Sequence, residues 1–86
     1  MKDLEAAGIR IYPVPAKEYL SVQFKNPVEE TRAEIISSTG SIVKKATIPS
    51  GQNNYTFDLS GVETGTYYLR ISNSTINNIG RIIIIK

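Results

Sequence analysis

From Gly65 to Ile71 polar and apolar residues alternate: Tyr67, Leu69 and Ile71 fall on one face, Thr66, Tyr68 and Arg70 on the other. A helix needs apolar residues three and four apart. A period of two in aromatic and β-branched types specifies a half-buried β-strand instead. The preceding run repeats the pattern, with Tyr55, Phe57 and Leu59 alternating with Asn54, Thr56 and Asp58. Gly61 and Gly65 bracket the short polar connection between the two runs. Gly65 is expected at positive φ, which glycine adopts at little cost. These two strands, joined over a glycine corner, are expected to form the centre of the core.

The rest of the chain supplies more short strands and no convincing helix. Residues 9–12 alternate until Pro13 and Pro15, which lack the N–H that a strand ladder needs. Val14 is pushed to an extended conformation by the proline after it, so residues 12–16 read as a stiff connector. In residues 19–24 Leu20, Val22 and Phe24 share a face, and Asn26 with Pro27 marks a turn. Ala33 and Ile35 continue an inward face while Arg32 and Glu34 point out. Ile36 breaks that alternation and predicts a strand end covered on both faces. Residues 37–40 form a turn with Gly40 at positive φ. Residues 42–48 are a weakly alternating strand whose Lys44 and Lys45 suit exposed positions near a sheet edge. Residues 49–53 read as a loop, and residues 73–78 as a hairpin connection.

The last strand carries four consecutive isoleucines, with Ile82 and Ile84 on one face and Ile83 and Ile85 on the other. Either the strand is buried on both faces, or it leaves an apolar row at the surface for a partner, for instance by strand addition. Arg81 and Lys86 flank the run as gatekeepers. About seven short strands, with turns every 8–12 residues or so, predict an all-β fold: a seven-stranded antiparallel β-sandwich of immunoglobulin-like type. An immunoglobulin domain proper is excluded, because the chain has neither cysteine nor tryptophan.

Eighty-six residues make one domain. Residues 9–86 are assigned to the sandwich. Residues 1–8 are charged, alanine-bearing and closed by Gly8, and read as a linker or cloning remnant, so the chain is expected to be a piece of a longer protein. Residues 1–5 show no secretory leader pattern. The apolar run 82–85 is far short of the ~20 residues a membrane span needs. The absence of histidine removes the usual general base and the commonest metal ligand, and the absence of cysteine removes thiolate chemistry. Glu29 and Glu30 are the one carboxylate pair, but neighbours on a strand face opposite ways, so they read as solvated charges. No phosphate loop, nucleophile elbow or metal-spaced cluster is present. No enzyme, cofactor or metal is therefore expected. A net charge of +2, evenly scattered, excludes a nucleic-acid footprint.

Three blocks together carry a family resemblance. The first is Ile11, Tyr12, Pro13, Val14, Pro15 and Ala16, followed by Leu20 and Val22. The second is Ala33 to Ile35 leading to Gly40, Ser41, Ile42 and Val43. The third runs from Leu59 and Ser60 through Gly65, Thr66, Tyr67, Tyr68 and Leu69, and closes with residues 81–86. In this order and spacing they resemble the type A C-terminal sorting domain of proteins exported by the type IX secretion system. Val14 stands where the family often has Asn, and Ser41 where it has a basic residue.

The resemblance implies a non-catalytic sorting signal attached to an N-terminal cargo protein. It implies recognition by the outer-membrane translocon after transit through the periplasm, then removal by a sortase-like peptidase during attachment at the cell surface. The domain itself is expected to be a monomer or weak oligomer. The residues so implicated are Pro13, Pro15, Ala16, Gly40, Gly65, Tyr67, Arg81, Ile85 and Lys86. The alternative from the same fold is a fibronectin-like adhesion or carbohydrate-binding module. Exposed aromatics would mark it, and Tyr12 and Tyr68 are the available pair.

Overall fold

Seven strands follow one another in a computed structural model that describes residues 8–13, 15–25 and 29–86. They are β1 (Ile9–Tyr12), β2 (Tyr19–Phe24), β3 (Thr31–Ser37), β4 (Ile42–Ile48), β5 (Asn54–Asp58), β6 (Gly65–Ser72) and β7 (Asn77–Ile84). All strand pairings are antiparallel and form two sheets, β1-β2-β5 and β4-β3-β6-β7. The expected seven-stranded all-β sandwich is thus the observed fold. Residues 1–7, Val14 and the expected turn at Asn26 and Pro27 lie outside the described residues.

The alternation read in each strand sorts the side chains as expected. Leu20, Val22, Phe24 and Phe57 from the smaller sheet meet Ile35, Leu69, Ile71, Ile82 and Ile84 from the larger one, all buried in one cluster. Removing this apolar surface from water is what holds two thin sheets together. Tyr55 and Phe57 add an edge-to-face contact with ring centroids 5.0 Å apart.

Two expectations need correction. β5 and β6 do not form a joint centre: β5 is an edge of the three-stranded sheet, and β6 lies inside the four-stranded one. Period-two patterning reports which face of a strand is buried, not which strand lies beside it. Gly65 is also not at positive φ; it is the first residue of β6 and pairs with Ile84. The left-handed residue of this corner is Gly61, at φ 82°. It takes the third position of a turn closed by Val62 N–H donating to Leu59 O at 3.0 Å, a place that requires positive φ in a type II turn. Asp58 Oδ1 accepts the Ser60 N–H at 2.9 Å and fixes the start of that turn.

At the other glycine turn the expectation holds. Gly40 has φ 94°, and its N–H donates to Ser37 O at 2.9 Å. β4 is a sheet edge, as its lysines imply. Lys45 points out, whereas Lys44 is the cross-strand partner of the buried Ile35 and so lies on the core-facing side. An inward lysine on an edge strand discourages pairing with another chain. Ile36 is half-buried on the outer face, where the register with β4 shifts and Val43 becomes the extra residue.

Candidate functional site

The terminal strand is where the sequence-marked residues converge. β7 lies at the edge of its sheet, hydrogen-bonded to β6 from Ser72 with Asn77 to Gly65 with Ile84. Ile82 and Ile84 are buried, while Ile83 and Ile85 are 40% and 48% exposed. The run is therefore covered on one face only, and the second of the two sequence alternatives is the observed one.

Beyond β7 lies the proline connector. Ala16 forms an isolated parallel bridge with Ile84: its N–H donates to Ile83 O, and its carbonyl accepts the Ile85 N–H, both at 2.8 Å. Ala16 is fully buried, Pro15 is exposed, and the Tyr12–Pro13 peptide is cis. The connector leaves the three-stranded sheet at Tyr12 and reaches the far sheet before β2 begins. It closes the last part of an edge that would otherwise offer free backbone groups.

Lys86 finishes the arrangement. Its backbone N–H donates to Thr64 Oγ1 at 2.9 Å, and its ammonium donates to Leu59 O at 2.6 Å. The Leu59 carbonyl thus serves both its own turn and the end of the chain. Three backbone segments lie side by side here: Gly65 of β6, Ile84 of β7 and Ala16 of the connector. Tyr67, opposite Ile82, is buried with its hydroxyl donating to Glu63 O at 2.8 Å. The Asp58 carboxyl is held below the usual carboxylate range, chiefly by the Ser60 N–H and to a lesser degree by Lys44 and Lys86.

Of the residues singled out by sequence, Pro15, Ala16, Gly65, Ile85 and Lys86 fall within this junction, and Tyr67 packs beneath it. Gly40 sits in the β3–β4 turn at the same end of the four-stranded sheet, beyond the Ser37–Tyr67 pair. Arg81 is farther along β7, exposed opposite Tyr68. Sequence reasoning did not single out Leu59 O or Thr64 as anchors of the terminus. A backbone acceptor and one threonine among many give no local signal.

Two other sequence readings resolve differently. Glu29 is exposed, as expected, yet its carboxylate accepts the hydroxyls of Ser74 and Thr75 and so ties down the β6–β7 turn. Asn73 orders the same turn by accepting the N–H groups of Thr75 and Ile76 at 2.8 and 2.7 Å and donating to the buried Thr31 hydroxyl at 2.9 Å. Tyr12 and Tyr68 face outward from different sheets, on opposite sides of the sandwich, so they do not form one sugar-stacking platform. Among the described residues no group of three or more His, Cys, Asp or Glu side chains is placed to hold a metal.

The chain matches the family described as the secretion system C-terminal sorting domain over residues 10–86. It belongs to that family. The match begins one residue inside β1, takes in the other six strands and both glycine turns, and includes the whole junction between connector and terminal strand. Membership gives the sorting domain its role as a C-terminal signal for type IX secretion, associated with secretion machinery and cargo and exported through that system.

A solved structure agrees on the fold. A DUF3244 family protein from Bacteroides vulgatus, described as an immunoglobulin-like β-sandwich, aligns with a TM-score of 0.75 at 16% identity, covering 88% of this chain and 83% of that one. At that identity the likeness shows architecture alone. No curated protein gives a significant match.

Proposed function

We propose that the sorting domain is a non-catalytic tail whose folded shape is read by the outer-membrane translocon of type IX secretion. Its N-terminal cargo passes through the periplasm, and a sortase-like peptidase removes the tail as the cargo reaches the cell surface. The family match over residues 10–86 carries this reading. The chain's lack of histidine and cysteine is consistent with a role that needs no reactive group.

On this reading the candidate residues divide by task. Ala16, Gly65 and Tyr67 position the terminal strand from within, and Gly40 sets the neighbouring turn. Pro13 and Pro15 stiffen the connector, Arg81 and Ile85 present side chains outward, and Lys86 pins the chain end to Leu59 O. A receptor meeting a strand already held by β6, Ala16, Thr64 and Leu59 orders little on binding, which favours recognition.

The test is a periplasmic reporter fused ahead of the full chain in a type IX-competent cell. The intact fusion is expected in the medium or at the surface, and the fusion lacking residues 81–86 in the periplasm. That deletion also removes the core residues Ile82 and Ile84, so Ile85→Ser, at an exposed side chain, separates recognition from folding. Export unchanged by both alterations contradicts the reading.

A further inference from the structure

The two outer faces of the sandwich differ in a way the family assignment does not address. On the four-stranded sheet the cross-strand registers align Ile42, Ile36, Tyr68 and Arg81 in one row running from β4 to β7. Ile83, two residues beyond Arg81 on β7, stands in the adjacent row opposite Thr66 and adds exposed apolar surface on the same face. Ile42 is half exposed and Ile83 40% exposed, while Ile36 and Tyr68 are half-buried beside them. The next row aligns Lys45, Glu34, Arg70 and Ile79, and the one after it holds Arg32 between Thr47 and Ser72.

Charge on this face is one-sided. Four cations (Arg32, Lys45, Arg70 and Arg81) stand against the single carboxylate of Glu34, which Arg70 already engages at 2.7 Å. The face therefore holds a net of three positive charges, more than the +2 of the whole chain. The outer face of the three-stranded sheet has no such excess of charge: it sets one cation, Arg10, against one carboxylate, Asp58, among polar side chains and the exposed Tyr12 and Tyr19. Two shallow depressions, of about 330 and 420 Å³, flank Glu34, and Arg32 lines both. The exposed face thus joins an apolar row containing tyrosine to arginines free of intramolecular carboxylates among the described residues. Interfaces are enriched in these same residue types, and an arginine fork binds a carboxylate with two parallel hydrogen bonds.

We propose that the outer face of the β4-β3-β6-β7 sheet is the surface by which the domain docks on an acidic protein component of the secretion machinery. This rests on the sorting reading above and adds the face and the partner's chemistry. Apolar side chains of the partner cover Ile36, Ile42, Tyr68 and Ile83, and its carboxylates meet Arg32, Lys45 and Arg81. A protein fits better than an anionic membrane. The apolar residues lie on the flat face of a sheet level with the cations beside them, whereas interfacial membrane binding is made by an amphipathic helix whose apolar side sinks below the headgroups.

The experiment uses the reporter fused ahead of the full chain and compares three variants with the intact domain. R32E/K45E/R81E reverses the charge, I42S/I83S removes exposed apolar surface, and R10E/Y19S alters the opposite face as a control. The first two are expected to lower exported reporter tenfold or more while their thermal midpoints stay near that of the intact domain. The control is expected to export normally. If the triple variant fails to fold, R81E alone is read in its place. Intact-level export by folded variants of the four-stranded face overturns the proposal and leaves the sorting reading standing. Failure of the intact fusion to leave the periplasm overturns the sorting reading itself. Binding of the purified intact domain to phosphatidylglycerol vesicles, lost in the triple variant, overturns the protein partner in favour of a lipid one.

Discussion

Replacing Ile84 by alanine, beside the same change at Ile85, tests how the terminal strand is held. Ile84 is fully buried between Gly65 and Ala16, and the turn and connector that surround it are pinned by their own hydrogen bonds. Little can collapse into the space left behind. Truncation of such an isoleucine costs roughly 2–5 kcal/mol, the lost transfer free energy plus a cavity penalty. A domain of this length has about 4–13 kcal/mol in all, at ~0.05–0.15 kcal/mol per residue. A loss of ~3 kcal/mol lowers the thermal midpoint by roughly 12–24 °C, at about 4–8 °C per kcal/mol. In urea the midpoint falls by about 1.5–3 M for slopes of ~1–2 kcal/mol per M. Ile85 is 48% exposed, and its one bond to Ala16 is made by the backbone. Its truncation should stay within about 0.5 kcal/mol. Denaturant titration of both variants is the assay. Equal shifts, or a larger shift for Ile85, refute the one-sided burial of the strand.

The corner glycines should also separate. Gly61→Ala places a side chain at φ 82° with open space around it, so backbone strain alone should cost about 1–2 kcal/mol. Gly65→Ala brings a Cβ to 3.5 Å from the Tyr67 ring, an ordinary contact without left-handed strain, and the urea midpoint should hardly move. Asp58 sets an acid dependence. Its folded-state carboxyl titrates below the unfolded one, so its stabilisation is complete above the unfolded value (~3.9) and lost as pH falls through the lower folded one. Thermal midpoints between about pH 5 and 2 should therefore fall more for the intact domain than for Asp58→Asn, and parallel curves would contradict this.

Much of this was legible in residue order, and what was missed has a common cause. The alternations of Leu20, Val22 and Phe24, and of Tyr67, Leu69 and Ile71, sorted inside from outside because side chains on a strand switch faces at every residue. The lysines of β4 announced an edge for a similar local reason. The placement of β5 and β6 in different sheets depends on neighbours distant in sequence, which no local period encodes. The junction of Ala16 with Ile84, across 68 positions, is of the same kind. Gly65 was expected to be the left-handed residue of the corner, but the Leu59–Val62 hydrogen bond, invisible in residue order, gives that place to Gly61. The resemblance in the three sequence blocks pointed to the family, and the apolar and cationic rows of the four-stranded sheet emerged only once strand registers brought their residues together.

The most direct measurement follows one reporter, carrying the full chain at its C-terminus, in a type IX-competent strain and in a matched strain without the outer-membrane translocon. The account predicts reporter outside the first cell and confined to the periplasm of the second. The same distribution in both strains would contradict it.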